Sequence, residues 1–481
     1  MTVSFGTMRT LSDALSPSAC QAGDAVNDLS SLSRKGRKAR GDHMARYIGI
    51  RHRVKKTARG EARPTMVAIS EDGQAQTLEL EDDTEELDFM LGMLPTGWRD
   101  ALDGEDLSGF LRRHVVEKKE TGKKEKDGPK KFRVPTGYQG MQAGDVIAMI
   151  LGGSGDRLAY SMSRRGDEIG STVLRIPPTD LKDRRGARSK DEDHLILAEL
   201  AETSPEIFYP VTLRDRDTIA IGLAYRARRD AQLDRMACAQ RVRQRAIGAV
   251  HISADGKYPE GTMEEVFKEA EANDAILAAN LKEEAKRGAE LKKAVRKVEV
   301  WTEVLAGVEG MGEVLAASLI SRIADIRRFL TDAKLKKYCG VHVMKDGSFP
   351  RHMRMPVTPR QKRVAAADDA LQAAVANGDV VAAEKSNDWV PSLRQALYLL
   401  GDQFNYRAES AWGLKLREYK TKFRAKHPAV ETYENKKGEM KKRYTDGHIH
   451  RMATWRTITK FVEWLHREWR HLEAAQGKVA V

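Results

Sequence analysis

A glycine-rich segment holds the first residues whose types and spacing could do chemistry: Leu305-Ala-Gly-Val-Glu-Gly-Met-Gly-Glu-Val-Leu-Ala-Ala-Ser-Leu319. Gly307, Gly310 and Gly312 break one amphipathic run, and a second starts at once with Val314, Leu315, Leu319 and Ile323. Two helices joined by such a turn form a helix-hairpin-helix, whose backbone amides at a helix N-terminus can cradle a phosphate. Lys292, Lys293, Arg296 and Lys297 precede the turn, and Arg322, Arg327, Arg328, Lys334, Lys336 and Lys337 follow it. The competing reading is an ordinary αα-hairpin whose glycines only permit close packing. Basic flanks on both sides favour phosphate binding. A second group is acidic: Asp191, Glu192 and Asp193 open a helical run. There they stabilise a helix N-terminus through its dipole, by about 0.3–1 kcal/mol each.

Composition agrees with a polyanion partner. The 481 residues carry 83 Lys and Arg against 70 Asp and Glu, a net charge of +13, which suits nucleic acid or an anionic membrane surface. No apolar stretch approaches the roughly 20 residues that span a bilayer, and no signal-peptide core opens the chain. The three cysteines, Cys20, Cys238 and Cys339, are far apart and form neither a disulfide framework nor a zinc site; Cys238 and Cys339 read as small core residues on helices. A reducing cytoplasm is expected.

The elements that must position these residues fall into blocks. Residues 1–43, rich in Ser, Ala, Gly and Asp and ending in a basic run, lack periodicity and read as a disordered leader; Met44 is a candidate alternative start. Tyr47-Ile-Gly-Ile-Arg-His-Arg-Val54 and Pro64–Ser70 read as strands, with a turn at Glu71-Asp72-Gly73 into Gln76–Leu80. A helix follows near 84–94, then a charged surface loop from Lys118 to Lys131. Asp145–Leu151 is a buried strand, Gly152, Gly153 and Gly155 lead into a helix over 157–165, and Thr172–Ile176 is another strand. Strands alternating with helices imply an α/β sheet with some parallel pairing. From Leu213 to Val250, and again from Met263 to Leu305, the pattern is helical, dense in charge and free of Pro except in the loop between. Two such helices pack antiparallel as a coiled-coil-like arm, and self-association through it is expected. The C-terminal third is helical, with Trp455, Phe461, Trp464 and Trp469 as core aromatics.

This order of parts resembles the bridge-RNA-guided insertion-sequence transposases, which pair an N-terminal RuvC-like DEDD domain with a C-terminal transposase domain. Tyr47-Ile-Gly-Ile50 resembles the first RuvC strand, and Leu151-Gly-Gly-Ser-Gly155 the strand end with its glycine turn. Arg188–Ala198 looks like the acidic helix, Gly307–Gly340 like the helical core, and Leu393–Tyr398 with the helix after His448-Ile-His450 like the C-terminal part. Among the relatives of those transposases the TIGR-associated Tas proteins look nearest: guide-RNA-binding effectors whose helical domain resembles the Nop domain of box C/D ribonucleoproteins. The fold implied is α/β plus all-α, with an RNase H-type RuvC-like domain over 44–210, a coiled-coil arm over 211–305 and a Nop/transposase-like helical domain over 306–475.

The resemblance implies carboxylates holding two Mg2+ ions about 3.5–4 Å apart across a phosphodiester. Here the first strand ends in Arg51 where the family has Asp, and Met149-Ile150-Leu151 stands where it has Glu. Asp193 keeps one expected position, Lys190 takes the other, and Asp191 and Glu192 are the substitutes at hand; Asp193 and then Asp191 are the candidate metal and catalytic residues, with Asp145 a remote third. Ser348, after Gly347 rather than before a Gly, reads as a turn residue and not as the family's nucleophile. Arg51 suits a phosphate contact better than a metal site, and Arg51, Arg53, Lys55 and Lys56 are the candidate DNA contacts. Lys292, Lys293, Arg296, Lys297, Gly310, Gly312, Arg322, Arg327, Arg328, Lys336 and Lys337 are the candidate RNA contacts. The expectation is a guide-RNA-binding protein, dimeric and prokaryotic or phage-encoded, that recognises target DNA and, if active, cuts it with Mg2+. The alternatives are a DEDD-type DNA transposase or recombinase, or an inactive nucleic-acid-binding derivative.

Overall fold

The computed structural model describes residues 46–53, 64–71, 73–118, 131–344, 349–350, 389–434 and 438–479. The expected leader, Lys55, Lys56 and Ser348, and all but the ends of the charged 118–131 loop, lie outside them.

The N-terminal half is built on a six-stranded sheet in the order β3-β2-β1-β7-β8-β9. Its strands are β1 (Tyr47–Arg51), β2 (Thr65–Glu71), β3 (Gln74–Leu80), β7 (Val146–Ile150), β8 (Thr172–Ile176) and β9 (Tyr209–Pro210). β1 runs antiparallel to β2 but parallel to β7, and β7 parallel to β8. The helices are α1 (Asp83–Leu91), α2 (Asp156–Ile169), α3 (Pro178–Arg185) and α4 (Asp193–Thr203). The period-2 alternation of strand side chains assigns each to one of two layers. Ile48, Ile50, Ile147, Met149 and Val173 enter the core shared with α1 and α2. Ala148, Leu174 and Ile176 enter the core with Leu181, Ile196, Leu197 and Ala201 of α3 and α4.

Gly49 faces α4. A Cβ built there would lie 1.9 Å from the carbonyl oxygen of His194 and 2.5 Å from the Ala198 amide, so this glycine is what lets the helix lie directly on β1. Arg51 shares its parity and therefore points to the same side, at the N-terminal end of α4.

The helix expected over 84–94 stops at Leu91, because Gly92 takes φ +72° and closes it, while Asp82 caps its start through the amides of Thr84 and Glu85. The chain then forms a small separate sheet that the pattern did not announce: β4 (Leu94–Asp100), β5 (Val116–Glu117) and β6 (Phe132–Gln139), in the order β4-β6-β5. Register shifts around Gly97 interrupt its alternation.

The helical half begins with α5 (Leu213–His251), started by a capping box between Thr212 and Asp215. The single helix expected over 263–305 is instead three pieces: α6 (Met263–Asn273), α7 (Ala275–Val295) and a π-helical turn over Val300–Leu305. Asp274 makes the first break by leaving helical geometry and accepting the Leu277 amide, which gains a cap where a continuous helix would have had none. α5 and α7 run antiparallel, as the ion pairs Arg235–Glu284 (2.5 Å) and Arg245–Asp274 (2.6 Å) require.

After the glycine turn come α8 (Glu313–Ile323), α9 (Asp332–Tyr338), α10 (Pro391–Tyr406), α11 (Ala411–Lys426), an exposed ribbon of β10 (Glu431–Glu434) and β11 (Met440–Arg443), and α12 (Asp446–Val479). One core joins Leu291, Leu305, Leu319, Ile320, Cys339, Leu397, Phe404, Phe461 and Trp469. Cys238 and Cys339 are buried thiols, and burial pushes the Cys339 thiol up. No helix among the described residues is long and apolar enough to cross a membrane.

Candidate functional site

The carboxyl ends of β1, β7 and β8 form the edge where an open α/β sheet ordinarily binds its ligand. On the α4 side of that edge the sequence-predicted residues meet, though not as metal ligands. Arg51, almost fully buried, donates to the Asp191 carboxylate and, at 3.0 Å, to the Asp191 carbonyl. Arg53 reaches the same carboxylate oxygen at 2.6 Å. Asp191 is otherwise exposed. Asp193 has no exposed surface, and Arg185 grips it in two-point fashion, Nε to Oδ1 at 2.7 Å and Nη2 to Oδ2 at 3.0 Å.

A two-metal centre does not fit this edge. Both surviving carboxylates are neutralised by guanidinium groups, and the remaining ligand positions hold Arg51, the apolar Met149-Ile150-Leu151 and Lys190. Among the described residues no three His, Cys, Asp or Glu side chains converge as a metal site. Asp145 enters β7 at the opposite end of the strand and is paired bidentately with Arg46 (2.9 Å), so it lies away from this edge.

The α2 side of the edge holds groups that local pattern did not single out. Asp156, at the start of α2, accepts the Gly152 amide (3.0 Å) and Arg175 (3.3 Å). Burial raises its pKa above the ordinary carboxylate value, against the pull of Arg175. Arg175 also faces Asp215 at 3.5 Å. Asp215 takes in the Thr212 amide (3.0 Å) and hydroxyl (2.7 Å), Arg214 (2.8 Å) and Arg327 (3.5 Å). Burial opposes its charge, but Arg214, Arg327 and the Thr212 amide hold its pKa below the usual range. Arg327 is further fixed by Asp325, at 2.7–3.1 Å, and Arg214 pairs with Glu473 of α12. These buried charges tie the sheet to the helical half. No sequence signal could have found them, because Asp215 and Arg327 lie 112 positions apart and Arg214 and Glu473 farther still.

In the helical half the predicted RNA contacts divide in two. Lys292, Lys293, Arg296 and Lys297 form an exposed basic cluster at the C-terminal end of α7 and just beyond it, where cations also complement the helix dipole. Arg322, Arg327, Arg328 and Lys336 are committed internally. Arg322 donates to Ser392 (2.6 Å) and stacks over Tyr225. Arg328 lies against the rings of Phe329 and Tyr338. Lys336 bridges Asp332 and Glu463. Lys337 is exposed on α9.

The glycines also divide. Gly310, at φ +89°, packs on Gln403 and Arg407, a packing role, whereas Gly312 is the open N-cap of α8. The expected phosphate cradle at α8 is already served from within. Glu313 is held below the usual carboxylate range by its own backbone amide and then by Arg296, whose Nε lies 3.0 Å away.

Residues 302–360 match the family described as Transposase IS116/IS110/IS902 family. No curated protein matches the chain. The matched segment takes in most of the π-helical turn, the glycine turn, α8 and α9, and it relates this part of the chain to insertion-sequence transposases.

Proposed function

We propose that the protein is a transposase-related nucleic-acid-binding protein that holds a structured guide RNA on its helical half and presents an RNase H-type, RuvC-like domain to target DNA. The observation that carries this reading is the exposed basic cluster Lys292, Lys293, Arg296 and Lys297, which leads directly into the transposase-family segment. The sheet order β3-β2-β1-β7-β8, with β1 antiparallel to β2 and parallel to β7, supports the RuvC-like reading.

The carboxylates of the sheet edge are paired to arginines, so the reading is recognition of nucleic acid without a Mg2+-dependent cut. Arg51 and Arg53 stand at that edge as phosphate contacts. A dimer through the α5–α7 arm belongs to the same proposal, supported by the exposed apolar side chains of Leu233, Met236 and Leu281.

The test is purification at low salt followed by extraction and sequencing of bound RNA, with filter binding of that RNA and of matched duplex DNA. A discrete RNA species is the expected result. A protein that elutes free of RNA and retains neither ligand refutes the reading.

A further inference from the structure

His52, Ser154 and Glu86 come together at the sheet edge from three separate elements. His52 follows β1, Ser154 sits in the glycine turn after β7, and Glu86 lies on α1. The Nδ1 of His52 is 2.9 Å from the Ser154 hydroxyl. Its Nε2 is 3.5 Å from Oε1 of Glu86, which also accepts the Thr65 hydroxyl at 2.6 Å. Accessibility is graded: Ser154 is exposed, the His52 side chain is 13% exposed and that of Glu86 8%. An accessible hydroxyl, an imidazole within reach and a buried carboxylate behind it are the parts of an activated nucleophile.

The backbone is shaped for the arrangement. Gly152 and Gly153 have φ of +89° and +82°, a sharp turn that raises Ser154 to the surface. A Cβ at Gly155 would stand 3.3 Å from the Cβ of His52, so glycine there keeps the imidazole uncrowded. The parallel register pairs Ile50 with Met149. The segment Arg51-His52-Arg53 therefore emerges beside Ile150-Leu151-Gly152, with a guanidinium on either side of the histidine in sequence. Arg51 and Arg53 converge on the Asp191 carboxylate, whose side chain is 76% exposed. An exposed anion held by two guanidiniums marks a place where a phosphoryl oxygen can be received instead.

We propose that Ser154 is a nucleophile, activated by His52 and Glu86, that attacks a phosphodiester of a nucleic acid. This rests on the nucleic-acid reading above. The Glu86 carboxylate, 3.5 Å from Nε2, favours the tautomer with the proton on that nitrogen and so leaves the Nδ1 lone pair facing Ser154. The Ser154 Oγ–H proton passes to Nδ1 as Oγ bonds to phosphorus. The bond from phosphorus to the leaving sugar oxygen breaks, and that oxygen takes the electron pair and then the proton from His52. One P–O bond forms and one breaks, with no change of oxidation state. The products are a strand joined to Ser154 as a phosphodiester and a strand ending in a free hydroxyl.

The test has two arms on the full chain. In the first, a fluorophosphonate probe is followed by intact mass and peptide mapping. A single adduct on Ser154 is expected, absent in Ser154→Ala and formed roughly 10²-fold more slowly in His52→Gln, with Glu86→Gln intermediate. Circular dichroism and the urea midpoint establish that each variant is folded. In the second, end-labelled single-stranded DNA, duplex DNA and RNA are scored for binding and for denaturant-resistant adducts. A Ser154-dependent adduct with one of them is expected. No probe adduct on Ser154 in the folded wild type overturns the nucleophile. Probe labelling without a nucleic-acid adduct, in a protein that binds nucleic acid, overturns the substrate class and leaves the binding reading intact. Absence of binding overturns both.

Discussion

Asp193 separates a metal ligand from a structural strut, and the two roles predict opposite changes in stability. The carboxylate is fully buried and receives both Nε and Nη2 of Arg185, whose side chain is 16% exposed. Removing one member of a buried ion pair costs about 3–5 kcal/mol, because the other is left desolvated. Arg185 can recover some hydration, so Asp193→Ala should lie at the lower end, about 3 kcal/mol. Arg185→Met strands a carboxylate with no access to water and should cost more, about 4–5 kcal/mol. The double variant Asp193→Leu/Arg185→Met should lose less than the sum, with a coupling of roughly 2–3 kcal/mol. In an acidic cluster built for a cation, deleting one carboxylate instead relieves repulsion and stabilises the metal-free protein. Urea unfolding in chelator, repeated with millimolar Mg2+ or Mn2+, reads both cases, since a ligand of the native state stabilises it by RT ln(1 + [L]/Kd). The reasoning is refuted if Asp193→Ala is as stable as wild type in chelator, or if Mg2+ stabilises wild type and not the mutant.

Gly49→Ala should destabilise the α/β half by about 3 kcal/mol or more, because its methyl group would sit 1.9 Å from the His194 carbonyl oxygen; a thermal melt within a degree of wild type would count against the packing. Acidification should weaken the union of sheet and helices. The depressed pKa of Asp215 gives stability that is present above the unfolded value of about 3.9 and lost as pH falls through the folded one, while Asp156, raised by burial, contributes with the opposite sign. Below about pH 4 the urea midpoint of wild type should therefore fall, and Asp215→Asn should flatten that fall. Changing Lys292, Lys293, Arg296 and Lys297 to Glu should abolish RNA retention. Wild-type binding should weaken with salt at a log–log slope of roughly −0.7 to −0.9 per phosphate contacted, and an unchanged affinity in the variant would remove this cluster from the interface. Light scattering should report twice the chain mass of 53.8 kDa, falling to one chain when Leu233, Met236 and Leu281 are replaced by Gln; a wild type already of one-chain mass would dismiss the dimer.

Local pattern carried much of the fold. The run Tyr47–Arg51 and the run Val146–Ile150 are strands because buried parallel strands are apolar throughout. The acids at 191–193 do open a helix, where the Ser189 hydroxyl accepts the Asp191 amide and Glu192 reaches back to the Ser189 amide. The glycine segment at 307–312 is a turn, and α5 and α7 pair antiparallel, with the loop and α6 between them turning the chain back. The β4-β6-β5 sheet escaped because Pro95, Gly97 and the shifted register erase its alternation. The breaks at Asp274 and Val295 escaped because a helical period continues through residues that gain more from capping.

What tertiary structure alone decided is which charges are free. Arg322, Arg327, Arg328 and Lys336 read like Lys292 and Lys293 along the chain, yet the first four have partners inside the protein and the last two stand on its surface. Asp193 reads like a ligand until Arg185 is seen to hold it. His52, Ser154 and Glu86 are unremarkable singly; the parallel pairing of β1 with β7 brings the first two within reach, and the packing of α1 on the sheet adds the third. Local propensity acts over a few residues, whereas a charge is given its role by whatever the folded chain brings within about 4 Å of it, and that is a property of the fold.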